Sequence, residues 1–94
     1  MTEIKLGIAG LGTVARGVLE MIRRNNALMR QRSGVSLRVV RVASRRAKPE
    51  IDLHGAHFST NIEDLLTDPN VDMILELIGG DTTALDLILS LIHI

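Results

Sequence analysis

The chain has 94 residues and a mass of 10.3 kDa, 46% of them hydrophobic and 23% charged, with one aromatic and no cysteine, which excludes two independent domains and a disulfide framework. A chain this short buries only roughly 60–65% of the surface its unfolded form exposes, and is marginal on its own. Eleven basic and eleven acidic residues cancel, and the longest uncharged run, Leu6–Ala15, falls well short of the roughly 20 apolar residues of a bilayer span, so no membrane partner is expected.

Ile4-Lys5-Leu6-Gly7-Ile8-Ala9 is a short, nearly unbroken apolar run closed by glycine, the pattern of a strand buried on both faces of a parallel sheet. Lys5 and the residues after it resemble a secretory leader only faintly, because Glu3 sits in the would-be basic region and glycines interrupt the apolar part. From Thr13 the apolar residues Val14, Val18, Met21, Ile22 and Leu28 recur at helical spacing with arginines between them, predicting an amphipathic helix that ends near Ser33-Gly34, with Asn25-Asn26 as a possible interruption. Ser36–Ala43 is rich in β-branched residues and reads as a second strand.

Residues 44–58 show no period and read as a loop. Thr60-Asn61-Ile62-Glu63 has the spacing of a capping box and predicts a short helix through Leu65, Leu66 and Thr67, stopped by Asp68-Pro69. Val71–Ile78 is the third predicted strand, closed by Gly79-Gly80, and Asp81 or Thr82 caps a final helix through Leu89. The expected order is β-α-β-α-β-α, an α/β fold built as part of a Rossmann-like, doubly wound parallel sheet.

The zero net charge conceals a basic middle joined to an acidic end. Residues 16–48 hold ten of the eleven basic residues and one acid, Glu20, whereas residues 49–94 hold nine acids and no Lys or Arg. Such a split marks a nucleic-acid stripe, two mutually attractive faces, or a local site for a phosphorylated ligand. The middle segment has no aromatic residue to stack on a base, so no nucleic-acid partner is expected.

Gly10-Leu11-Gly12-Thr13-Val14-Ala15 fits G-x-G-x-x-G/A and sits directly after a strand and before a helix, where that pattern binds a dinucleotide pyrophosphate. Gly10 makes the tight turn, Gly12 lets the backbone approach the phosphates, and Ala15 is small enough for the helix to pack on the strand. The alternative is a glycine turn that merely packs closely. An NAD site would place an acid at the end of the second strand, but that strand runs into Ser44-Arg45-Arg46. A hydroxyl and guanidinium groups suit a 2′-phosphate, so NADP(H) is favoured and NAD(H) remains possible. Either arginine is otherwise a solvated loop charge. The strand end lies about 34 residues beyond the fingerprint, against the usual roughly 20, which requires a long first crossover. His54 and His57 have no further ligands in view, so no metal is expected. Glu76 lies inside an apolar strand, where a carboxylate needs partners or nearby water.

In these features the chain resembles the amino-terminal nucleotide-binding part of homoserine dehydrogenase. The resemblance rests on Gly7-Ile8-Ala9-Gly10-Leu11-Gly12-Thr13-Val14 with Gly17-Val18, on Val39-Val40-Arg41-Val42-Ala43, and above all on Asp68-Pro69-Asn70-Val71-Asp72 leading into Glu76-Leu77-Ile78-Gly79-Gly80. It implies hydride transfer between L-aspartate 4-semialdehyde and L-homoserine with a nicotinamide cofactor, in the route to threonine and methionine, by a cytoplasmic homo-oligomer. It also implies that Gly10, Leu11, Gly12, Thr13 and Val14 line the pyrophosphate, that Ser44 and Arg45 face the adenosine phosphate, and that Gly79 and Gly80 lie near the nicotinamide. Ala15 stands where the family usually has a third glycine. The family continues beyond Ser90 into a lysine-bearing segment and a substrate domain. Residues 1–94 are therefore expected to be a partial dinucleotide-binding domain of a truncated product, without catalytic residues, inactive alone and prone to associate through its exposed strand edge and apolar tail. Two other functions remain open: a stand-alone dinucleotide-binding or regulatory module, and another dehydrogenase of the same fold.

Overall fold

The computed structural model describes residues 2–46, 50–53 and 55–77. Along the chain run β1 (Thr2–Ala9), α1 (Thr13–Ser33), β2 (Val35–Ala43), β3 (His57–Ser59), α2 (Glu63–Thr67) and β4 (Met73–Glu76). The strands form one parallel sheet in the order β3-β2-β1-β4. The chain thus winds outward from β1 through β2 to β3, then returns to place β4 on the other side of β1, as an α/β Rossmann-like sheet does.

β1 is central, and its two faces are packed by different helices. Leu6 and Ile8 are fully buried in the main core with Val18, Leu19, Ile22 and Met29 of α1. On the opposite face Ala9 clusters with Ala43 and Leu65 of α2. Small residues occupy that second face because α2 comes close. A Cβ added at Gly7 would lie 2.8 Å from Leu65 Cδ2 and 3.1 Å from Val71 Cγ1. Full burial of each large aliphatic side chain in the main core stabilises the fold by about 1.5–3 kcal/mol.

α1 runs without interruption for 21 residues, roughly 31 Å, which accounts for the long first crossover. Asn25 and Asn26 do not break it, because each side chain is engaged. Asn25 Nδ2 donates to Met21 O at 3.0 Å, and Asn26 Oδ1 accepts from Leu37 N–H at 2.9 Å. The helix ends as expected. Gly34 takes the left-handed conformation at φ 73° and its N–H donates to Arg30 O at 3.0 Å. Gly34 O in turn accepts from Thr2 N–H at 2.9 Å, which ties the helix end to the start of β1. β2 begins at the next residue and pairs with β1 along its whole length. A bulge between Leu6 and Gly7 leaves Val40 as the extra residue.

Three expectations need correction. Residues 44–58 are not all loop: His57-Phe58-Ser59 pairs in parallel with Arg41-Val42-Ala43, so the described order is β-α-β-β-α-β. Three residues are too few to display a period, and Phe58 alone carries the apolar signal. The capping box at Thr60 does not form. Asn61 does the work instead, its Oδ1 accepting from Glu63 N–H at 3.0 Å, while α2 has no side-chain cap from Ile62. Of the two alternatives for Glu76 the structure shows access to water: it is exposed on β4, beside exposed Met73 and Ile74. The third predicted strand is shorter than Val71–Ile78. The final predicted helix, His54, Gly79 and Gly80 lie outside the described residues.

The basic middle and the acidic end do meet. Arg41 Nε of β2 donates to Asp68 Oδ2 at 2.8 Å, with both side chains largely shielded. The Arg41 hydrogen bond, helped by the Asn70 N–H, holds the Asp68 carboxyl below the usual carboxylate range. Lys5 N–H donates to Asp72 Oδ2 at 2.9 Å and Asp72 N–H returns a bond to Lys5 O at 2.8 Å, setting the register in which β4 begins. No helix of the described residues is long and apolar enough to cross a membrane.

Candidate functional site

At the carboxyl ends of β1, β2 and β3 the chain leaves a cleft of about 560 Å³. One wall is Gly10, Leu11 and Gly12, the link from β1 to α1. The second is Ala43, Ser44 and Arg45 at the end of β2, and the third is Thr60 and Ile62 after β3. Parallel strands force this convergence, because every strand end points the same way and every following loop opens on the same rim.

Gly10 needs to be glycine, since its φ of 104° is one that side-chain-bearing residues rarely adopt. Its N–H donates to Ala43 O at 2.7 Å, which holds the β1 loop against the end of β2. Gly12 precedes α1 in an extended conformation, and a Cβ placed there would meet nothing within 4 Å. The first bond of the helix runs from Arg16 N–H to Gly12 O at 3.0 Å. The N–H groups of Thr13, Val14 and Ala15 therefore precede the helical ladder, at the positive end of the α1 dipole.

The structure brings together Gly10, Leu11, Gly12, Ser44 and Arg45 from two segments far apart in sequence. Leu11 belongs also to the core, being 3% exposed. Thr13 and Val14 do not line the cleft. Thr13 is exposed in the first turn of α1, and Val14 packs against the core. Ala15 is fully buried beneath the loop, where a larger side chain would lift the helix from the sheet. Arg45 and Arg46 are both exposed, but only Arg45 lines the cleft.

Thr60 and Ile62 were not expected. They reach the cleft because β3 extends the sheet, and only recognition of that short strand would have revealed them. Among the described residues, none that lines the cleft is acidic. A larger depression of about 800 Å³ between α1 and residues 50–52 mixes Arg16, Arg23 and Arg24 with Glu20, Glu50 and Asp52, so that its described lining residues carry no net charge. There the Arg23 and Arg24 guanidinium groups hydrogen-bond Glu20 and hold its carboxyl down at about 2. Among the described residues no cluster of His, Asp and Glu is able to hold a metal ion.

A parallel sheet wound outward in both directions from β1, with a glycine turn between its central strand and a long helix, defines a Rossmann-like nucleotide-binding unit. The family model described as homoserine dehydrogenase, NAD binding domain, matches residues 10–93. The chain belongs to that family, whose cofactor class is a nicotinamide dinucleotide.

Homoserine dehydrogenase of Pseudomonas aeruginosa is 37% identical over 93 residues, covering 99% of this chain and 21% of that protein. Its counterpart in Bacillus subtilis is 35% identical over 82 residues, covering 85% of this chain and 19% of that protein. The chain thus spans about a fifth of the length of the relatives it matches. Among solved structures, a homoserine dehydrogenase from Thiobacillus denitrificans is 39% identical with a TM-score of 0.69, over 79% of this chain and 17% of that one. The Staphylococcus aureus homoserine dehydrogenase superposes with a TM-score of 0.75 over 98% of this chain and 23% of its own. At 23% identity that likeness speaks for the fold.

Proposed function

We propose that the protein is the cofactor-binding part of an NADP-preferring homoserine dehydrogenase. The whole enzyme interconverts L-aspartate 4-semialdehyde and L-homoserine in the cytoplasm, in the route to threonine and methionine. The observation that carries this reading is the meeting of the Gly10–Gly12 turn with Ser44 and Arg45 across one cleft, with no acid among its described lining residues.

The residues present fit such a cofactor. Gly10 and Gly12 leave the backbone bare where a pyrophosphate approaches, and the first-turn N–H groups, Thr13 and Val14 among them, face that anion with the α1 dipole behind them. Ser44 and Arg45 offer a hydroxyl and a forked cation to a 2′-phosphate. The cofactor, when bound, supplies the hydride acceptor or donor. This chain's residues bind and orient it, with Gly79 and Gly80 assigned to the nicotinamide side by the family pattern. The hydride transfer itself belongs to the whole enzyme, whose substrate domain and homo-oligomeric contacts complete it.

Calorimetric titration with NADP and NAD tests the reading. Arg45→Ala should weaken NADP by about 1–3 kcal/mol, roughly 5- to 150-fold, and leave NAD nearly unchanged. Equal losses for both cofactors would remove the 2′-phosphate assignment, and no binding of either would remove the cofactor site.

A further inference from the structure

The third wall of the cleft is held by hydrogen bonds centred on one small residue. Ser59, the last residue of β3, engages both its hydroxyl and its carbonyl. Its hydroxyl donates to the Asp64 carboxylate in α2 and accepts from Asn61 N–H at 3.1 Å. Asn61 Oδ1 then accepts from Glu63 N–H at 3.0 Å, which closes the turn that presents Thr60 and Ile62 to the cleft. On the other side, Ser59 O accepts from Ser44 N–H at 3.0 Å. Ser44 is the first residue after β2 and immediately precedes Arg45.

Two walls of the cleft are thereby joined through a residue that does not line it. The Ser44 N–H to Ser59 O bond is the last of the β2–β3 ladder, and Arg45, the next residue, is exposed, so the end of that ladder is where the Ser44–Arg45 segment is anchored. A long, exposed guanidinium has many rotamers. Fixing the backbone from which it starts reduces the entropy lost when it engages a ligand.

We propose that Ser59 is a positioning residue for the adenosine-phosphate end of the cleft, its carbonyl fixing the Ser44–Arg45 segment and its hydroxyl fixing the Thr60–Ile62 turn opposite. This rests on the dinucleotide reading above. It extends that reading to how selectivity for a 2′-phosphate is set: Ser59 makes no ligand contact itself, but holds the two walls at the separation Arg45 requires.

The test uses adenosine 2′,5′-bisphosphate and adenosine 5′-phosphate as probes, which differ only at the 2′ position. Ser59→Ala keeps the carbonyl and removes the hydroxyl, and should weaken the bisphosphate roughly three- to ten-fold while shifting the monophosphate by less than about two-fold. Ser59→Thr restores the hydroxyl and should restore the bisphosphate affinity. Asn61→Ala should mimic Ser59→Ala, and Asn61→Asp, which retains the acceptor, should not. A merely structural role predicts equal losses on both probes together with a lower melting temperature, and that result overturns the proposal, as does an unchanged bisphosphate affinity. If the wild-type protein binds the bisphosphate no better than the monophosphate, the 2′-phosphate reading itself fails and takes the positioning role with it.

Discussion

Gly7→Ala should destabilise the fold even though alanine is the better residue for a strand. The new Cβ would lie 2.8 Å from Leu65 Cδ2, and 3.1 and 3.4 Å from the two Val71 methyls. Leu65 is 2% exposed and has little room to swing aside, and Val71 is β-branched with few rotamers open to it. Overpacking of this kind costs about 1–3 kcal/mol, while removing a glycine from a strand returns roughly 0.5–1 kcal/mol. Taking the middle of each range, the net loss is about 1 kcal/mol, or a fall of roughly 4–8 °C in melting temperature for a domain of this size. Thermal and urea unfolding followed by circular dichroism measures it. Leu65→Ala alone opens a cavity and should cost about 2–5 kcal/mol. In that background Gly7→Ala should cost less than it does alone, because the closest atom it strikes is gone and only the Val71 contacts remain. A melting temperature that is unchanged or raised in the single variant, or simple additivity in the double variant, would refute the argument that α2 packs this closely on β1.

Asn26→Ala should cost about 1–3 kcal/mol in urea unfolding, since it strips the acceptor from the Leu37 N–H beneath α1, while Asn26→Asp keeps an acceptor and should cost less. The acid limb of stability should depend on Glu20 and Asp68. Both carboxyls are held below their unfolded values, chiefly by hydrogen bonds from Arg23 and Arg41 respectively. Their contributions are complete above the unfolded pKa values of about 4 and are lost as pH falls through the folded ones, which for Glu20 is about 2. Urea midpoints measured from pH 6 down to pH 2 should fall less steeply in Glu20→Gln and in Arg41→Ala than in the parent, and superimposable acid limbs would show that these pairs do not contribute.

The parts of the fold legible in the sequence were those with a period long enough to read. β1 announced itself by a nearly unbroken apolar run, β2 by its β-branched residues, and α1 by apolar residues three and four apart with arginines between them. The glycine turn was legible because its position between a strand and a helix is itself information. β3 was not, since three residues have no period and pair only with the end of β2. Thr60 and Ile62 were invisible for the same reason, as their place in the cleft depends on that strand. Thr60 looked like a helix cap from spacing alone, yet the neighbouring Asn61 took the role, because Ser59 already holds the turn. Asn25 and Asn26 offered an alternative interruption of α1, but Asn25 bonds back to Met21 within the helix and Asn26 finds in β2 a partner that an isolated peptide lacks. The need for glycine at position 7 arises from α2, more than fifty residues along the chain, and no local pattern encodes it.

Gly34 is the whole connection between α1 and β2. With its N–H given to Arg30 and its carbonyl to Thr2, it has no slack at all. One pole of the molecule is therefore stitched shut by a single residue, while the opposite pole carries the loops that build the cleft. Insertions, grafted peptides and affinity tags placed at Gly34 would pry apart the helix end and two strands at once. The sheet is thereby closed at the pole opposite the one on which the cleft opens.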